Sequence, residues 1–326
     1  MDKLIKYRAA QNASAYKIVP HKNIERYVVS TPHTREILNK PEIFGFEFIE
    51  KLRCGVYETL KLFSQFEKYG DKNTSVIHFL RGGLNFGLLN MLYDAYGFNR
   101  VYGSFITSQR YKKRENWCIK DDQYRKFSLP EDATVFIGDV IATGTTLDNG
   151  LEIMRQQFLS EGKNLRRLVM MTVGCEMAEK ILSKHHAAFK NNFDYEETIL
   201  IYLEGRFSVP KTDNEFFACI PGTDLTKKNA LLAPEFEKSQ DAKITYPLER
   251  CVVYDVGARA YEYSVHIDDV IEYWNKLLHS GRTLKDVYEE RWRAGAKVPN
   301  SNYALKKLCR SRIDFLRGLK NGRKTV

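Results

Sequence analysis

The stretch Val135-Phe136-Ile137-Gly138-Asp139-Val140-Ile141-Ala142-Thr143-Gly144-Thr145-Thr146-Leu147 decides how the rest of this chain is read. Four residues, Thr134 to Ile137, form a short apolar run of the kind that makes a buried strand. Small and hydroxylic residues follow, and 146–160 then carries the spacing of a helix. A strand running through such a loop into a helix makes a phosphate-binding geometry. Successive N–H groups can turn inward as a nest, the helix N-terminus adds partial positive charge, and Thr143, Thr145 and Thr146 offer hydroxyl donors. Asp139 repels a phosphate and suits ribose hydroxyls or a cation instead. The plainer reading, a tight turn with a threonine cap, calls for fewer hydroxyls than are present.

Outward from this stretch, strand and helix patterns alternate. Apolar residues recur at helical spacing over 46–69 (Phe48, Ile49, Leu52, Val56, Leu60, Phe63, Phe66) up to Gly70, and Val76-Ile77-His78-Phe79-Leu80 reads as a strand. Then come a helix over 84–96, a strand over 101–107, a strand over 167–173, a helix over 176–189 and a strand over 198–203. Alternation of this kind predicts an α/β fold with a central, mostly parallel sheet flanked by helices. Ligands of such sheets sit beyond the carboxyl ends of the strands, where a second glycine-bearing bend, Leu80-Arg81-Gly82-Gly83-Leu84, also lies. Its glycines permit close backbone approach, and Arg81 supplies a charged fork matched to phosphate oxygens. The polar interval 108–129 exceeds the usual connection of about 2 to 6 residues, and its Arg110, Lys112, Lys113 and Arg114 read either as a functional loop or as a solvated basic one.

The 135–147 stretch resembles the phosphoribosyl pyrophosphate (PRPP) signature of the type I phosphoribosyltransferases, and 80–84 resembles their pyrophosphate loop. The likeness covers roughly 46–204. It implies a Mg²⁺-dependent displacement of pyrophosphate from PRPP by a ring nitrogen of a nucleobase or similar heterocycle, an activity of nucleotide metabolism. On the same resemblance Asp139 and Arg81 are the catalytic residues. Asp139, Ala142, Thr143, Gly144, Thr145 and Thr146 hold the ribose and 5′-phosphate, and Arg81, Gly82 and Gly83 hold pyrophosphate. Residues 108–129 form a mobile loop whose Arg110, Lys112, Lys113 and Arg114 stabilise the leaving group. It also implies a non-proline cis peptide at Leu80-Arg81, and no protein residue is assigned directly to the metal. The sequence departs from the signature at Gly138, where the first of two acidic residues is expected, and Ala142 stands where some purine enzymes carry an acid.

The flanks, 1–45 and 205–326, match nothing recognisable and are read as an N-terminal arm, with a share in a base-selecting hood, and an α+β C-terminal hood with a basic helical extension. Helices are expected over 266–278, 283–292 and 302–319, and His185 and His186 are expected at a helix surface. Of the +10 net charge, much is terminal, since 303–326 holds eight lysines and arginines against Asp314 alone. That segment is either a solvated face or a nucleic-acid contact. A non-catalytic PRPP or nucleotide sensor that uses it on RNA or DNA is therefore the alternative function. The six cysteines show no CxxC and no clustered histidine, so neither zinc nor a disulfide framework is indicated. No run of about 18 apolar residues occurs, which predicts a cytoplasmic protein without a membrane partner. A homodimer is compatible with the sequence, which does not specify the oligomeric state.

Overall fold

In a computed structural model, residues 2–20, 22–107, 124–211, 217–220, 222–250, 256–293 and 305–322 are described, together with the backbone of 110–113 and 116–119. The strands are β1 (Lys3–Ala9), β2 (Ser14–Val19), β3 (Glu25–Ser30), β4 (Thr74–Leu80), β5 (Tyr102–Thr107), β6 (Arg110–Lys113), β7 (Asn116–Ile119), β8 (Arg125–Lys126), β9 (Asp132–Ile141), β10 (Asn164–Cys175), β11 (Glu197–Ser208) and β12 (Thr226–Leu232). The helices are α1 (Pro32–Asn39), α2 (Gly45–Leu62), α3 (Gly82–Asn85), α4 (Leu88–Tyr96), α5 (Thr145–Ser160), α6 (Glu176–Asn192), α7 (Pro234–Ser239), α8 (Val256–Tyr261), α9 (Tyr263–Leu278), α10 (Leu284–Arg291) and α11 (Leu305–Lys320).

The main sheet runs β1-β2-β3-β11-β10-β9-β4-β5-β8, with β12 paired to β11 outside that path. Ladders from β3 to β5 are parallel, whereas β1–β2, β2–β3, β5–β8 and β11–β12 are antiparallel. The central run is parallel, and the sheet as a whole is mixed because antiparallel strands are added at its edges and beside β11. Part of that addition comes from residues 3–30, read above as an arm. They supply three strands, and β3 joins the sheet beside β11. In the middle, β9, β10 and β11 are covered on both faces, which is why they read as continuous apolar runs.

Three local differences bear on function. The strand β9 does not stop at Ile137; it keeps pairing with β10 through Ile141, which carries Asp139 on a strand rather than in a loop. The helix expected over 84–96 is broken into α3 and α4 at Gly87, whose φ of 57° lies in the left-handed region. The interval 108–129 contains the antiparallel hairpin β6–β7, in which Arg110 pairs with Ile119 and Lys113 with Asn116, and β8, which pairs with β5. The side chains of Arg110, Lys112 and Lys113, and all of Arg114, lie outside the described residues.

The C-terminal helices form a second small core in which Ile267, Val270, Trp274 and Leu277 of α9 meet Leu308, Ile313 and Leu316 of α11. The basic segment is thus an amphipathic helix seated on α9. Its Arg312 turns inward to Glu42 and Glu249, at 2.5 and 2.7 Å, and Lys320 pairs with Asp268. Among the described residues, no helix is long and apolar enough to cross a membrane.

Candidate active site

Two bends meet at the carboxyl ends of adjacent strands. The peptide Leu80–Arg81 ending β4 is cis, and Gly82 begins α3. Beside it, β9 delivers Asp139, and the chain passes through Ala142 to Gly144, whose φ of 75° opens α5. Arg81, Gly82, Asp139, Val140, Ala142, Gly144 and Thr146 line one cleft, which Val256 and Gly257 of α8 close from the C-terminal side.

The contact between the bends is close enough to explain the glycines. A Cβ on Gly82 would lie 2.5 Å from Asp139 Oδ1, and one on Gly83 would lie 3.2 Å from His78 Cα and 3.3 Å from the Gly138 carbonyl oxygen. Gly82 and Gly83 thus let this bend press against the end of β9. The Asp139 carboxylate accepts the Val140 N–H at 2.8 Å, which fixes the orientation of one oxygen.

Helix α5 starts at Thr145 with Gly144 as its N-cap, and that cap offers no side-chain acceptor to the first-turn N–H groups. Gly144 and Thr146 of that turn line the cleft, which places an anion-receptive helix end beside Arg81. Thr143 and Thr145 line an adjoining groove with Asp148, Asn149 and Lys184. There the Thr143 hydroxyl lies 3.4 Å from the Thr145 hydroxyl. Gly144 borders both spaces, so they abut.

Gly138 is explained by its other neighbour. A Cβ there would lie 2.5 Å from Cγ of Phe86, a residue with no solvent exposure just after α3. The volume that an acidic side chain at 138 needs for its first atoms is filled by that ring. His185, expected at the surface, is buried between α6 and α5, where its Nε2 lies 2.8 Å from Asp148 Oδ1. Burial lowers its pKa, against the pull of Asp148.

One participant has no sequence signal near the two bends. Glu262, between α8 and α9, receives both terminal nitrogens of Arg81 at 3.4 Å, with the two side chains 49% and 52% exposed. Beside it, Tyr263 stacks on Phe44 with ring centroids 5.4 Å apart. The C-terminal segment therefore borders the cleft both by backbone, at Val256 and Gly257, and by a carboxylate.

No protein-family model matches the chain, and no curated protein does. Several solved structures are similar to it in part, among them the following three. A hypoxanthine phosphoribosyltransferase from Staphylococcus aureus is 17% identical, with 47% of this chain and 74% of that one covered and a TM-score of 0.27. A xanthine-guanine-hypoxanthine phosphoribosyltransferase from Helicobacter pylori is 19% identical over 49% and 88%, with a TM-score of 0.26. A hypothetical protein from Neisseria gonorrhoeae with bound ppGpp is 11% identical over 40% and 69%, with a TM-score of 0.26.

Proposed function

We propose that this chain is a PRPP-dependent phosphoribosyltransferase. The observation that carries the reading is that Arg81 and Gly82 from one bend, and Asp139, Gly144 and Thr146 from the other, line a single cleft. One ligand lying there can be gripped at both ends.

In the reaction, a ring nitrogen of the acceptor heterocycle forms a bond to C1 of the sugar while the bond from C1 to the pyrophosphate oxygen breaks. The carbon passes through an oxocarbenium-like centre, related in charge to that of glycoside cleavage. No protein nucleophile is required, so the work is positioning and neutralisation of charge. Arg81 would take the departing pyrophosphate with its planar fork, and the first turn of α5, at Gly144 and Thr146, would take the 5′-phosphate. Asp139, held by the Val140 N–H, would orient the ribose hydroxyls.

Magnesium enters this reading as part of the substrate. Among the described residues, no three potential metal-ligating side chains converge. Such an ion would be carried chiefly by phosphate oxygens and water, with Asp139 as a carboxylate lining the cleft.

The test is calorimetric titration with Mg-PRPP followed by a screen of heterocycles for pyrophosphate release. Binding and release are expected from the native chain, and Arg81→Ala and Asp139→Asn are expected to abolish release in folded protein. Turnover retained in both variants would refute the site. A second reading, a non-catalytic PRPP or nucleotide sensor, draws support from Phe86 occupying the space beside Gly138. Tight PRPP binding with no release by any heterocycle would favour it.

A further inference from the structure

The sheet edge formed by β5 and β8 carries a second groove, of about 790 Å³, that shares no lining residue with the cleft. Among the described residues that line it are Lys72, Arg100 and Lys126, together with Tyr102, Phe105 and Tyr124, and no carboxylate.

The strand register places these groups. Lys126 on β8 lies opposite Phe105 on β5. The Thr107 N–H donates to the Tyr124 carbonyl at 3.0 Å and the Tyr124 N–H to Thr107 Oγ1 at 2.9 Å, so the pairing continues to Tyr124. Two residues along a strand share a face, which puts Tyr124 and Lys126 on the same side as Phe105. The Phe105 ring is braced from behind by His78, stacked at 5.0 Å. Tyr102 and Tyr124 are 36% and 49% exposed, large aromatic surface left in water. Arg100 is held at the amino end of the groove by Asp71, through bonds of 3.1 and 3.2 Å. Gly103 leaves the floor open, because a Cβ there would meet only Leu89 and Phe105, at 3.9 and 4.0 Å.

Lys72 and Lys126, with no carboxylate among the described lining residues, favour an anion, and exposed rings favour something flat. Along β5 the lining residues Tyr102 to Phe105 span about 10 Å, at roughly 3.3 Å per residue, a length for more than one nucleotide. Aromatic platforms beside a basic track hold unpaired bases by stacking and phosphates by charge, largely without regard to sequence. We propose that this groove binds a short stretch of single-stranded nucleic acid, with phosphates along Lys72 and Lys126 and bases against Tyr124 and the neighbouring Phe105. The proposal is independent of the transferase reading.

The test is fluorescence anisotropy of a labelled oligouridylate 12-mer with the full chain between 50 and 200 mM salt. With two cations engaged, log K should fall against log salt with a slope between about −1 and −2. Tyr124→Ala should weaken binding at least about fivefold, the lower end for loss of one stacked base. Gly103→Val, whose Cβ stands 3.9 Å or more from its neighbours, fills the floor and should weaken it similarly in a protein that still melts cooperatively. Lys126→Glu should weaken it further. The proposal is overturned by absence of binding at 50 mM salt, or by displacement of the 12-mer by uridine monophosphate at equal affinity. It is overturned equally if Tyr124→Ala and Gly103→Val leave binding intact while Lys306→Glu with Arg310→Glu on α11 abolishes it.

Discussion

Replacing Gly82 by alanine tests whether the two bends act on one ligand. The added Cβ would stand 2.5 Å from Asp139 Oδ1, whereas Asp139 Cγ is 3.5 Å away, so only the outer end of the carboxylate has to give. Ordinary contact requires a displacement of about 1 Å, which rotation of a short side chain supplies cheaply. Gly82 does not have a positive φ, so alanine adds no backbone strain and restricts the unfolded chain, an effect of about 0.4 to 1 kcal/mol in favour of folding. The variant should therefore melt close to the native protein. Function should respond differently, since a misplacement of about 1 Å can cost on the order of 100-fold in rate. The assay is pyrophosphate release, with Mg-PRPP affinity measured in parallel, on Gly82→Ala, Asp139→Ala and the double variant. Because the alanine at 82 is expected to act only by moving Asp139, it should cost almost nothing once Asp139 is gone. Losses that simply add in the double variant would refute the reasoning, as they would show that Gly82 serves the ligand by some other route.

Two further outcomes follow from buried and half-buried carboxylates. Glu204 in β11 is fully buried and accepts the Thr31 N–H at 2.9 Å and the Ser30 hydroxyl at 2.5 Å, yet burial outweighs those bonds and pushes its carboxyl up to about 7. A folded value above the ordinary 4.5 means the native state keeps a proton that the unfolded chain releases, so stability should decline as pH rises from about 4.5 through 7. Glu204→Gln should remove about 1 to 3 kcal/mol of that decline in urea titrations between pH 5 and 8, leaving the similar share of Glu249, which burial also raises to about 7. A slope unchanged by the substitution would contradict the assignment. At the cleft, the half-exposed pair between Glu262 and Arg81 is worth at most about 1 kcal/mol. Glu262→Gln should accordingly tighten pyrophosphate binding by up to about fivefold, and weaker binding would mean that Glu262 positions Arg81 instead of competing for it.

The strand-loop-helix units around 76–203 were legible in sequence because their strands are buried on both faces and their helices on one. Val135, Phe136 and Ile137 have no exposure at all, and such runs announce themselves without knowledge of their neighbours. The antiparallel strands β1, mostly exposed, and β2, partly buried, carry no comparable run. Their alternation is interrupted by a register shift between Lys6 and Arg8, so the sequence there shows no strand periodicity. The break between α3 and α4 was hidden for another reason: Phe86 leaves the helix to pack against Gly138, a contact between residues far apart in the chain.

What the sequence determined by itself was local chemistry: a strand delivering Asp139, a hydroxyl-rich bend before a helix, and an arginine with two glycines after another strand. Which of those groups share a cleft was decided only by the tertiary structure. Successive helical residues point about 100° apart, so adjacent Thr145 and Thr146 face different ways: Thr146 lines the cleft that Arg81 also lines, and Thr145 lines the groove bordered by α6. The same holds for Glu262, Val256 and Gly257, and for the basic, aromatic groove along β5. Their neighbours are set by how α8 packs against α2 and α3 and how β8 registers on β5, interactions across long stretches of chain that leave no periodic trace in sequence.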